Sequence, residues 1–77
     1  GALGGGIAVE GGTVFAVTGL AEILALDAGT GEIRWRRALP APARGGITVA
    51  GGRALVPTVE NHLVACSLDD GREVWRH

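Results

Sequence analysis

The sequence predicts an all-β chain built as two four-stranded antiparallel sheets in tandem, and three observations carry that reading. Residues 5–37 repeat as residues 45–77 at a constant offset of 40, without a gap. The 14 glycines fall in clusters between short apolar runs, as they do where hairpin turns separate strands. Several of those runs are apolar on consecutive residues, which marks strands buried on both faces.

In the first half, Ile7 to Glu10 reads as a strand ended by Gly11-Gly12. Both central residues of a type I′ turn need positive φ, which two glycines adopt without strain. Thr13 to Val17 follows as a strand of β-branched and aromatic residues. Thr18 to Ala21 is a loop, Glu22 to Asp27 a third strand, and Ala28-Gly29-Thr30-Gly31 a turn into a fourth strand, Glu32 to Arg37. The second half repeats the series near 47–50, 53–57, 62–67 and 72–76, with Pro57 at a strand end where a missing donor is tolerated. Ala38 to Arg44, with Pro40 and Pro42, forms a stiff connection, which divides the chain into units at 1–40 and 41–77.

The repeat is close. Gly5-Gly6-Ile7 matches Gly45-Gly46-Ile47, Gly11-Gly12 matches Gly51-Gly52, and Trp35-Arg36 matches Trp75-Arg76; about a third of aligned positions are identical. A period near 40 residues with four strands per repeat is that of a β-propeller blade. Val14-Phe15-Ala16-Val17, Ile23-Leu24-Ala25-Leu26 and Leu63-Val64-Ala65-Cys66 supply the doubly buried strands that face-to-face stacking of blades requires.

Composition narrows the function. The chain has 77 residues, a net charge of −1 and no lysine, so no basic stripe exists to follow a nucleic-acid backbone. No apolar run approaches the roughly 20 residues of a membrane-spanning helix. Cys66 is the only cysteine and cannot pair within the chain, and His62 and His77 lie in no metal-binding spacing. A 77-residue chain without a disulfide or metal is expected to draw stability from further protein. Gly1 to Gly6 lacks the lysine and following helix of a phosphate loop and reads as a counterpart of the linker at 38–46.

The segment Ala25-Leu26-Asp27-Ala28-Gly29-Thr30-Gly31-Glu32-Ile33-Arg34-Trp35 resembles the tryptophan-docking motif of PQQ-like (quinoprotein-type) propellers, A-x-D-x-x-T-G-x-x-x-W, at every defined position. The second copy keeps Ala65, Gly71 and Trp75 but has Ser67 and Asp70 where the motif has Asp and Thr. Kelch repeats, with a period of roughly 50, and WD40 repeats, with a Trp-Asp pair, fit less well. Asp27 is placed to accept bonds from backbone donors two residues on, as an Asx-turn, with Thr30 adding a weaker bond. The resemblance implies that Trp35 and Trp75 stack between neighbouring blades, over the small alanine and the backbone near the glycine.

The candidate site is therefore structural: Ala25, Asp27, Thr30, Gly31, Trp35, Ala65, Gly71 and Trp75. Glu60, Asn61 and His62, between the second and third strands of the second half, form the one polar cluster suggestive of a ligand loop. Quinoprotein dehydrogenases bind calcium through Glu and Asn, but no other matching ligand is present, and the corresponding first-half loop is Gly19-Leu20-Ala21-Glu22. A solvated loop is the simpler reading. Cys66 aligns with Leu26 and reads as a small core residue.

These readings predict a propeller segment that is not an enzyme, carries no cofactor, and serves as a scaffold or a protein-interaction or ligand-sensing module. The resemblance extends to extracytoplasmic bacterial propellers, including outer-membrane assembly lipoproteins. The alternative is a fragment of a PQQ-dependent alcohol or sugar dehydrogenase. Either way, two blades leave large apolar faces open, so the expected partners are more blades, from a longer chain or from further copies. Propellers have about four to eight blades, and the quinoprotein resemblance favours four chains giving eight. His77 to Gly6 of the next chain would then act as a linker.

Overall fold

The computed structural model describes residues 6–77 and contains eight strands. They are β1 Ile7–Glu10, β2 Thr13–Thr18, β3 Glu22–Asp27, β4 Ile33–Ala38, β5 Thr48–Ala50, β6 Arg53–Pro57, β7 Leu63–Ser67 and β8 Glu73–Arg76. They form two four-stranded antiparallel sheets, ordered β1-β2-β3-β4 and β5-β6-β7-β8. The predicted role of Gly1 to Gly6 as a linker falls mostly outside the described residues.

The turns explain the strand limits. Gly11 and Gly12 have φ of 53° and 79°, and Gly51 and Gly52 have 59° and 77°, the positive pair a type I′ hairpin needs. Glu32 and Arg72, expected in strands, are drawn into the preceding turns. The Asp27 N–H donates to the Glu32 carbonyl at 2.8 Å and the Ser67 N–H to the Arg72 carbonyl at 2.8 Å. The fourth strands therefore start at Ile33 and Glu73.

Each fourth strand carries a β-bulge. Leu26 pairs with Ile33 but Ala25 pairs with Trp35, so Arg34 is the extra residue. In the second sheet Cys66 pairs with Glu73 and Ala65 with Trp75, leaving Val74 extra. Side chains alternate between faces along a strand, so an extra residue decides which one points inward. The bulge places the tryptophan, and not the residue before it, opposite the alanine.

Burial on both faces is realised at Val64, Ala65 and Cys66 of β7 and only half realised in the other central strands. In β2 and β3 the buried positions alternate: Thr13, Phe15, Ile23 and Ala25 are buried, while Val14, Ala16, Leu24 and Leu26 are partly exposed. The reason is that each sheet has one neighbour. One face of the first sheet packs on one face of the second, and among the described residues no further sheet covers their remaining faces. The core lies at that seam, with Phe15, Ile23 and Ala25 from one sheet meeting Ala54, Val56, Val64 and Cys66 from the other. Strands β1 and β5 run close together along one side of it. The connection is fastened to both sheets. The Leu39 N–H donates to the Ala21 carbonyl at 2.8 Å, the Arg44 N–H to the Pro57 carbonyl at 2.7 Å, and the Val59 N–H to the Pro42 carbonyl at 3.0 Å.

Candidate functional site

Ala25 and Trp35 of the first repeat's motif meet the turn of the second repeat at the seam, while Asp27, Thr30 and Gly31 shape the first repeat's own turn. Cross-strand pairing lines up Ala8, Phe15, Ala25 and Trp35 in one row across the first sheet. The small Ala25, with no exposed surface, leaves room for two rings on either side. Phe15 and Trp35 approach with centroids 6.1 Å apart and planes at 44°, a favourable tilted aromatic contact.

Trp35 then reaches across to the β7–β8 turn. Its indole N–H donates to the Leu68 carbonyl at 3.1 Å. The ring lies against Gly71, where a Cβ would fall 2.5 Å from Trp35 Cε3, nearer still to Cζ3, and 2.7 Å from Arg37 Cγ. Glycine is thus required twice over, because Gly71 also has φ +79°, a conformation unfavourable for a side chain. Beside the ring, the Arg37 Nε–H donates to the Asp70 carbonyl at 2.8 Å, and its guanidinium stands 4.0 Å from the Asp70 carboxylate. Two open clefts of about 330 and 300 Å³ flank this contact. The first is lined by Arg37, Leu39, Cys66 and Arg72 among others, the second by Thr13, Arg34 and Asp69.

Asp27 organises the turn of the first repeat. Its Oδ1 accepts from the Gly29 N–H at 2.8 Å and the Thr30 N–H at 2.9 Å. Its Oδ2 pairs with the Arg34 guanidinium at 2.6 Å, and Arg34 also donates to Thr13 Oγ1 at 2.9 Å. The Arg34 hydrogen bond first, then those from Thr30 and Gly29, lower its pKa from 3.8 to about 2. Thr30 Oγ1 accepts from the Glu32 N–H at 3.2 Å, and Gly31 has φ +80°. In the second turn Ser67 Oγ accepts from the Asp69 N–H at 3.2 Å and Asp70 Oδ1 from the Arg72 N–H at 2.9 Å. The degenerate motif thus keeps its turn with different donors and acceptors.

Ala65 is fully buried opposite Trp75, which is 36% exposed on the open face of the second sheet. Glu60, Asn61 and His62 lie apart from the seam, and the bonds of Asn61 and His62 within the loop are to Thr58. The Asn61 N–H donates to the Thr58 carbonyl at 3.1 Å and the His62 N–H to Thr58 Oγ1 at 3.3 Å. The Arg44 guanidinium donates to Asn61 Oδ1 at 3.5 Å. Among the described residues, no three His, Cys, Asp or Glu side chains are grouped to hold a metal ion. Cys66 is buried, and its thiol pKa is pushed up by burial first and the Glu73 charge second.

Several members of the seam were not visible in the sequence. The Leu68 acceptor is a backbone carbonyl and has no residue signature. Arg37 aligns with His77, so the repeat gave no hint of its contact with Asp70. Arg34 could have been flagged only by foreseeing the bulge.

This geometry agrees with the comparisons. The family described as outer membrane protein assembly factor BamB, a PQQ-type repeat family, matches residues 1–77. The chain belongs to this family. BamB from Moraxella catarrhalis superposes with a TM-score of 0.83 at 26% identity, over 94% of this chain and 22% of that one. A europium-containing methanol dehydrogenase gives 0.81 at 27% identity, over 92% and 14%. The quinohemoprotein alcohol dehydrogenase ADHIIG from Pseudomonas putida HK5 gives 0.83 at 23% identity, over 91% and 12%, and at that identity shares the fold. No curated protein matches the chain. The chain is thus a PQQ-like β-propeller segment spanning 22% or less of each of these three structures, and a ring needs further blades. No helix among the described residues is long and apolar enough to cross a membrane.

Proposed function

We propose that this PQQ-like segment is non-catalytic and works as a scaffold or protein-interaction module, holding blades in a ring whose loops meet a partner. One observation carries the reading: the motif's tryptophan is used in joining blades and its aspartate in shaping a turn, so neither is left for a ligand. Trp35 is engaged by the Leu68 carbonyl and Gly71, and Asp27 by its own turn and Arg34. The BamB likeness, along the full chain, points the same way.

The second reading, a piece of a PQQ-dependent dehydrogenase, is favoured by the 27% identity to the methanol dehydrogenase. It would make Glu60 and Asn61 calcium ligands. Titration of the assembled protein with pyrroloquinoline quinone and calcium separates the two. The scaffold reading predicts no saturable binding. A saturating, red-shifted quinone spectrum that Glu60→Gln abolishes would establish the dehydrogenase reading instead.

A further inference from the structure

We propose that the cleft beside Arg37 and Arg72 binds a small aliphatic monocarboxylate, held between a guanidinium from each sheet. The cleft lies within the seam of this chain, so the site stands whether the protein is a scaffold or a piece of a dehydrogenase.

Both sheets build it. β4 and the start of the connection supply Arg37, Ala38 and Leu39, while β7, β8 and the turn between them supply Cys66, Glu73 and Arg72. The cavity measures about 330 Å³, at the small end of organic-ligand sites, which matches an acid of a few carbons and not a peptide segment. Buried Leu39 and Cys66 give it an apolar base. A short aliphatic tail placed there leaves water, which favours binding.

The charges select the other end of the ligand. Arg37 donates through Nε to the Asp70 carbonyl at 2.8 Å, but its terminal nitrogen stands 4.0 Å from the Asp70 carboxylate. That distance is too long for a hydrogen bond, so the outer edge of this guanidinium is free to donate. Arg72 donates to Asp70 Oδ1 at 2.9 Å through its backbone N–H, and among the described residues its guanidinium has no hydrogen bond or ion pair. Glu73 is already held by Arg76, at 3.1 and 3.2 Å.

The three cations Arg37, Arg72 and Arg76 against the two anions Asp70 and Glu73 leave one positive charge around the cleft. A singly charged carboxylate balances it, and the planar guanidinium fork matches carboxylate geometry. A dianion such as phosphate would exceed that balance and be repelled by Glu73 on the same rim. Neither arginine is set by the repeat, which has His77 in the place of Arg37 and Glu32 in the place of Arg72. The pair is a property of this one joint. A carboxylate shared between them ties the two sheets together and stabilises the folded chain by mass action.

Isocaproate titrated into the protein tests this. Binding is followed by the melting temperature and by the NMR shift of the Trp35 indole N–H, since the Trp35 ring and the Arg37 side chain both lie against Gly71. Saturable binding with a raised melting temperature is expected. Isocaproamide, of the same shape without the charge, and the Arg72→Gln variant should each give binding at least about tenfold weaker. Arg53→Gln, which removes an exposed arginine outside the cleft, should bind as the wild type does. The comparison of acid with amide uses the unaltered protein and stands without any variant. No saturation at millimolar isocaproate, equal binding of acid and amide, or unchanged binding by a folded Arg72→Gln variant would each overturn the proposal. Tighter binding of inorganic phosphate would overturn the monocarboxylate assignment, and tighter binding of the peptide acetyl-Ala-Ala-Leu would overturn it in favour of a chain end.

Discussion

Gly31 and Gly71 hold the same place in the repeat and nearly the same φ, 80° and 79°, but only Gly71 has a ring against it. Their alanine variants separate backbone strain from lost packing. Gly31→Ala is expected to cost about 1–2 kcal/mol, the penalty of a side chain in the left-handed region. Gly71→Ala adds displacement of Trp35, about 1–3 kcal/mol more, together with a red shift of Trp35 emission. Urea unfolding of the two variants side by side checks the difference, and equal losses would contradict the packing of Trp35 on Gly71. Asp27 gives a pH signature at the same scale. Its pKa is lower folded, about 2, than its ordinary 3.8. The stability it contributes is therefore fully present above 3.8 and is lost as the pH falls through about 2. Urea midpoints measured across that window should fall more for the wild type than for Asp27→Asn, and parallel curves would count against the Arg34 pairing. The motif made Asp27, Gly31 and Trp35 legible in the sequence because their residue types are distinctive. The Leu68 carbonyl was not legible, since every residue has one.

At the scale of elements, the fourth strands carry most of what had to be seen in three dimensions. Hairpin glycines and apolar runs located all eight strands to within a residue or so, because turn chemistry and β propensity are local. The bulges were hidden, since Arg34 and Val74 look like ordinary strand residues and their displacement is a property of pairing. The bulge sets Trp35 across from Ala25, and Ala25 is the spacer between Trp35 and Phe15. Ala25→Leu is expected to lose about 1–3 kcal/mol by overpacking. Thermal denaturation and Trp35 emission would register it, and an unchanged melting temperature would show that the row has slack. Cys66 lies on the facing strand, buried and with its thiol pKa raised. It should react with an alkylating reagent far more slowly in the native protein than in urea.

At the scale of the whole molecule, the consecutive apolar residues in β2, β3 and β7 anticipate neighbours on both sides of each sheet, but each sheet has one. Partial exposure of Val14, Ala16, Leu24 and Leu26 is the outcome of that shortfall, not an error in the pattern. The central claim is that the Trp35 ring rests on the Gly71 turn, whereas a Cβ built on the corresponding Gly31 would meet no described atom within 4 Å. The most direct test is the NMR shift of the glycine α protons in the Trp75→Ala variant, which leaves Trp35 as the sole indole. The account predicts that the Gly71 α protons are displaced by the Trp35 ring current while those of Gly31 keep the shifts of an open turn. Coincident shifts at the two glycines would show that no ring rests on Gly71, and would contradict the account.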